Sequence, residues 1–93
     1  MEVIYKEGFF KELKKLPARI QESIRYTLIK LGDASSLESS ELDYALMRGG
    51  SKGQKFYRIR VGNYRIGIKY IYPDVLVITI AVRGDIYKTF PPK

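Results

Sequence analysis

The stretch FYRIRVGNYRIGIKY, Phe56 to Tyr70, decides the fold. Two strand-like runs flank Gly62-Asn63, and that dipeptide reads as a two-residue β-hairpin loop because both residues tolerate the positive φ such a loop needs. The register then pairs Val61 with Tyr64, Arg60 with Arg65, Ile59 with Ile66 and Arg58 with Gly67. Side chains alternate along a strand. Tyr57, Ile59, Val61, Tyr64, Ile66 and Ile68 therefore form one apolar face, and Arg58, Arg60, Arg65 and Lys69 form the other. Two arginines directly opposite each other destabilise a ladder by a few tenths of a kcal/mol up to ~1 kcal/mol. A chain that carries such a pair is expected to hold an anion there.

Working outward, VLVITIAV, Val75 to Val82, is an almost unbroken apolar run that suits a strand covered on both faces. Its larger residues Leu76, Ile78, Ile80 and Val82 are expected on the helix-covered face, leaving Val75, Val77, Thr79 and Ala81 with the arginines and Arg83 beside Arg65. That parity requires a longer or bulged turn at Pro73-Asp74, since a strict two-residue loop gives the opposite one. On the other side of the hairpin, Glu2 to Tyr5 is a short strand candidate. Lys6 to Leu16 has helical spacing of Phe9, Phe10, Leu13 and Leu16, and Pro17 breaks it. Ala18 to Leu31 forms a second helix with Ile20, Ile24, Leu28 and Leu31 on one face and Gly32 as its C-terminal cap. These two helices make an αα-hairpin whose apolar stripes cover the sheet.

Between helices and hairpin, ASSLESSELDY admits a short helix around Leu37 to Tyr44. GGSKG could expose backbone amides and Lys52 to a phosphate, but it lacks the spacing of a P-loop and reads as a connector. After the last strand, RGDIYKTFPPK leaves the sheet, and Pro91-Pro92 argues against another full helix. The fold class is α+β: an N-terminal strand and an αα-hairpin on one face of a mostly antiparallel four-stranded sheet, in the order β-α-α-β-β-β. One domain is expected to span residues 1–93.

The chain has 93 residues and a formal net charge of +7, with no cysteine and no histidine. Disulfides, thiolate metal sites and the usual general base at neutral pH are thereby excluded. Seven basic and eight acidic residues precede Arg48, whereas ten basic and only two acidic ones follow from there to the end. All the excess positive charge lies in the sheet half, the footprint of a surface for nucleic acid or another polyanion. No run approaches the roughly 18 apolar residues of a membrane span, and MEVIYKEGFF lacks the features of a signal peptide, so a cytoplasmic protein is expected. The Arg83-Gly84-Asp85 triplet is an adhesive sequence only in secreted proteins and is set aside.

ELKKLP near the start, YRIRVGNYRI in the middle and VRGDIY near the end, in this order of elements, resemble the RelE/ParE toxin superfamily of toxin–antitoxin systems over nearly the whole chain. The resemblance implies the toxin of a type II system, a ribosome-dependent endoribonuclease that cleaves mRNA and is held inactive by a cognate antitoxin. It implies Arg60, Arg65, Arg83 and Tyr87 as catalytic residues, with Arg58 on RNA; Lys52, Lys55 and Lys69, read as basic residues and not through the resemblance, are expected as further RNA contacts. The partners would be antitoxin, ribosome and mRNA, with no membrane, metal or small-molecule cofactor.

Fixed arginines suit a crowded phosphorane because each planar fork can hold two phosphate oxygens. Some RelE enzymes carry lysines where this chain has Arg58 and Arg60, and arginine essentially cannot lose its proton. The general base then falls to Tyr87, whose phenolate neighbouring arginines would favour, or to Lys52, Lys55 or Lys69. Tyr87 could instead stack on an exposed base. A ParE-like gyrase inhibitor and a catalytically inactive antitoxin-binding homologue remain alternatives.

Overall fold

The computed structural model describes residues 1–49 and 54–91. Its centre is the hairpin of β3, Phe56–Val61, and β4, Tyr64–Ile71, in the register expected from the sequence, with Arg60 opposite Arg65 and Ile59 opposite Ile66. Gly62 turns the chain at φ 58° while Asn63 keeps a negative φ, the pattern of a type II′ turn. Next to β4 runs β5, Asp74–Val82, antiparallel, and β1, Glu2–Tyr5, pairs with β5 in parallel.

A fifth strand corrects the expected four. Tyr44–Leu46 forms β2 on the free edge of β3, giving the order β1-β5-β4-β3-β2. The helix expected around Leu37 to Tyr44 does not form: turns and bends run to Ser40, and Tyr44 already belongs to β2. The serines explain the difference: Ser40 donates its hydroxyl to the Leu37 carbonyl at 2.7 Å and Ser39 to that of Ser36 at 3.1 Å, local bonds that compete with a helix. The edge of β3 then captures the residues after Leu42. Met47 N–H donates to the Phe56 carbonyl and Arg60 N–H to that of Asp43, both at 2.8 Å.

The helices are α1, Phe9–Lys14, and α2, Ala18–Asp33. Pro17 separates them with an extended ψ, and Gln21 Nε2 donates to the Leu16 carbonyl at 2.8 Å, satisfying an acceptor in the short link between α1 and α2. Gly32 is not the cap expected of it. It lies inside α2, where an added Cβ would stand 3.5 Å from Val3 Cγ2, an ordinary contact distance. The amino group of Met1 donates to its carbonyl at 2.8 Å. Phe9, Leu13, Ile24 and Leu31 are fully buried against Ile59, Ile66, Ile68, Val75 and Val77 of the sheet. Each such burial stabilises by about 1.5–3 kcal/mol.

Strand β5 departs from the expected parity in its first half. The turn after β4 is tight, with Ile71 paired to Asp74, so Val75 and Val77 face the helices. An extra residue at Ile78 then bulges the strand: Ile68 pairs with Val77 but Gly67 with Thr79. Past the bulge Ile80 faces the helices, and Ala81 joins the arginine face opposite Arg65, as expected. The irregularity lies in mid-strand and not in the turn.

That second face carries a smaller core which the sequence did not disclose. Met47, Phe56, Ile86 and Phe90 are buried together, with Phe90 edge-on to Phe56 at 5.5 Å between ring centroids. Phe90 comes directly after a one-turn helix α3, Ile86–Thr89, and lies against Gly67, where an added Cβ would come within 3.0 Å of its ring. The terminal segment is thereby folded back over the sheet.

Candidate functional site

On this face, beside the small core, one cleft of about 410 Å³ collects the arginines. β3 supplies Arg58 and Arg60, β4 supplies Arg65, and Arg83 comes directly after β5. Tyr87 reaches the cleft from α3. Period-two alternation places the strand residues. Tyr87 needs a separate device: Gly84, at φ 91°, reverses the chain, and Asp85 N–H closes the turn on the Val82 carbonyl at 2.9 Å. The Arg83-Gly84-Asp85 triplet is thus a turn. Arg83 N–H donates to the Asn63 carbonyl at 2.7 Å, tying the end of β5 to the hairpin loop. Ile86 and Phe90 anchor α3 from below and leave Tyr87 60% exposed at the rim.

Arg65 is the innermost cation, only 6% exposed. Its Nη1 donates to the carbonyls of Gly62 at 2.8 Å and Tyr64 at 3.0 Å, so the hairpin loop holds its guanidinium in place. Burial, and then the charges of Arg60, Arg58 and Arg83, push its pKa below the usual guanidinium range, while Tyr87 acts in the opposite sense. One carboxylate answers this charge among the described residues lining the cleft. Asp43 lies 3.9 Å from Arg60, with both side chains more than half exposed, and such a pair neutralises little. The cleft is a preorganised cation site whose own structure leaves its charge largely uncompensated. An oxyanion with several oxygens would relieve that repulsion.

Five residues singled out in the sequence therefore meet: Arg58, Arg60, Arg65, Arg83 and Tyr87. Lys69 does not join them; its Nζ sits 6.0 Å from the centre of the Phe56 ring, farther along the same face. Lys55 is exposed ahead of β3 and lines no part of the cleft, and Lys52 falls outside the described residues. Sequence reasoning misses Asp43 because a helix over Leu37 to Tyr44 leaves its strand-edge position unassigned. An acidic residue just before a strand that flanks the arginine hairpin is the available signal. Among the described residues no three acidic side chains gather into a metal-binding group.

Fold and site together define a small α+β protein built round a cationic cleft. No protein-family model matches the chain. Toxin RelE3 of Methanocaldococcus jannaschii is 34% identical over 91 residues, spanning 98% of this chain and 100% of that protein. The toxin–antitoxin complex RelB–RelE from Methanococcus jannaschii contains a chain that matches with a TM-score of 0.73 at 32% identity, over 95% of this chain and 99% of that one. An archaeal RelE–RelB complex from Pyrococcus horikoshii OT3 shares the fold, with a TM-score of 0.70 at 19% identity over 89% and 94% of the two chains. The chain belongs to the RelE toxin family.

Proposed function

We propose that residues 1–93 act as one toxin domain of a toxin–antitoxin system, an endoribonuclease that cleaves mRNA on the ribosome without a metal ion. The observation that carries this reading is the convergence of Arg58, Arg60, Arg65, Arg83 and Tyr87 in one cleft. In the reaction a 2′-oxygen attacks the adjacent phosphorus and the bond to the 5′-oxygen breaks, leaving a 2′,3′-cyclic phosphate. The proton of the 2′-hydroxyl must be accepted, and the leaving 5′-oxygen must receive one. Arg65, fixed by the loop carbonyls, and Arg83 stabilise the charge that builds on the phosphorane. Removing one such contact commonly costs about 10²–10³ in rate. Arg60 adds to that field under the restraint of Asp43, and Arg58 holds the neighbouring phosphate.

Tyr87 carries the proton transfers or stacks on a base, since the arginines keep their protons. Lys69, on the same face beyond the cleft, contacts a flanking phosphate, and Lys52 and Lys55 serve RNA outside the centre. A cleft with one carboxylate offers no ligand set for a divalent ion, which favours the metal-independent route. The partner is a cognate antitoxin, in line with relatives whose structures are RelE–RelB complexes. Its acidic side chains would complement the cleft. Work on the ribosome places the protein in the cytoplasm.

The test is to add the purified chain, free of antitoxin, to translating ribosomes and map mRNA ends by primer extension. Cuts at ribosome-occupied positions are expected, with DNA gyrase supercoiling unaffected. Intact mRNA in the presence of folded protein rejects the proposal. Intact mRNA together with blocked supercoiling would instead assign a gyrase inhibitor.

A further inference from the structure

The sheet face away from the arginine cleft is covered by α1 and α2, and beside that cover one apolar groove stays open to water. It measures about 510 Å³ and runs along α2 between β1 and Phe10. Val3, Tyr5, Phe10 and Leu28 make its apolar wall, and Ile29, 64% exposed, stands at its lip. Among the described residues lining it, Arg25 and Asp33 carry the charge. Neither makes an ion pair within the described residues. Asp33 is also the last residue of α2, where the partial negative charge of a helix end repels a carboxylate.

We infer that this groove seats a second copy of the same chain, with two α2 helices packed antiparallel about a two-fold axis through Ile29. The spacing carries the inference. Arg25, Ile29 and Asp33 follow one another at intervals of four residues and form one ridge of the helix. A two-fold axis through Ile29 brings together residues equally far before and after it, so Arg25 of each copy faces Asp33 of the other. Two ion pairs and the apolar contact between them thus come from a single axis. Ridges of this kind interdigitate at a crossing angle near −50°, the commonest packing of two helices. The two grooves then adjoin on one flank of the crossing, where Phe10, 46% exposed, finds cover. An acidic or a basic peptide would answer one of the two charges and leave the other open. Only a self-complementary partner answers both with the same surface. The arginine cleft lies on the opposite sheet face and stays open in the pair, so the inference is independent of the ribonuclease reading.

Sedimentation equilibrium of the full chain over a concentration series tests this and should show a reversible monomer–dimer equilibrium. Arg25→Glu and Asp33→Arg should each weaken the dimer, by about 2- to 30-fold from the two lost ion pairs alone. Mixing the two variants is the sharper experiment. An Arg25→Glu chain facing an Asp33→Arg chain has opposite charges at both contacts, so the mixture should associate with close to wild-type strength. Residues eight apart on one helix do not reach each other, and rescue in a mixture can arise only between chains. Ile29→Asp alters an exposed side chain and should leave a folded monomer with an unchanged urea midpoint.

A chain that stays monomeric at millimolar concentration overturns the inference, whatever other protein the groove then serves. So does a dimer indifferent to both charge reversals, which would place the interface elsewhere. Variants that each weaken the dimer but fail to rescue one another when mixed overturn the two-fold axis through Ile29, and with it the proposed pair.

Discussion

Arg60 and Arg65 stand directly opposite each other across the β3–β4 ladder, one largely in water and the other buried and bonded to the hairpin loop. Their repulsion is not relieved within the protein. Asp43 touches the exposed partner from 3.9 Å and leaves the buried one unanswered.

Arg60→Ala should therefore separate stability from activity. Losing a like-charged cross-strand neighbour is expected to stabilise by a few tenths of a kcal/mol up to about 1 kcal/mol. Cleavage on the ribosome should fall by about 10²–10³. Urea unfolding and primer extension on the same preparation read the two effects, and a parallel fall in both would show that Arg60 is structural.

Arg65→Ala should fail on both counts. The Gly62 and Tyr64 carbonyls lose a charged donor, which costs about 1.5–3 kcal/mol against the smaller relief of repulsion. Arg65→Lys keeps the charge but not the planar fork, so it should recover more stability than cleavage. A lysine variant with full activity would remove the fork from the mechanism.

Gly67→Ala tests how α3 is held. The new methyl would meet the Phe90 ring at 3.0 Å, an overpacking that costs about 1–3 kcal/mol. Phe90 must shift, and Tyr87, three residues earlier, shifts with it. Turnover should drop although no cleft residue is changed, and Phe90→Leu in the same chain should restore part of it.

Stability should be nearly flat through neutral pH, because the chain has no histidine. Burial raises the pKa of Tyr5 and, as its first cause, that of Tyr70. A raised acid group adds stability that is complete below its unfolded pKa, about 10 for tyrosine, and is lost as pH climbs through the folded value. Arg65 has the reverse sign: its lowered pKa costs stability while it is charged, and that cost fades only as pH rises through its folded value. Chemical denaturation between pH 7 and 11 should show a decline starting near pH 10. Tyr70→Phe should shrink that decline and, by losing its bonds to Leu37 N–H and Glu38, cost about 0.5–1.5 kcal/mol at pH 7.

The hairpin register, both faces of β3 and β4 and the two core helices were legible in the chain. Each depends on periodicity and on a turn dipeptide, and these are written within a few neighbouring residues. The arginine face came from the same alternation, which also set Arg83 beside Arg65, and Tyr87 was added through family resemblance. Three features lay beyond that reach. Tyr44–Leu46 became a strand because the distant edge of β3 offered it hydrogen bonds, overriding a weak local preference. The bulge at Ile78 reconciles a tight turn with two faces that both need apolar cover, a compromise that no single strand expresses. Tyr87 stands over the arginines because Phe90 packs against Phe56 and Gly67, contacts made by residues far apart in sequence. The charges of the site were plain in the residue order. Their enclosure into a cleft, with Arg65 buried, required the packing of the terminal segment onto the sheet.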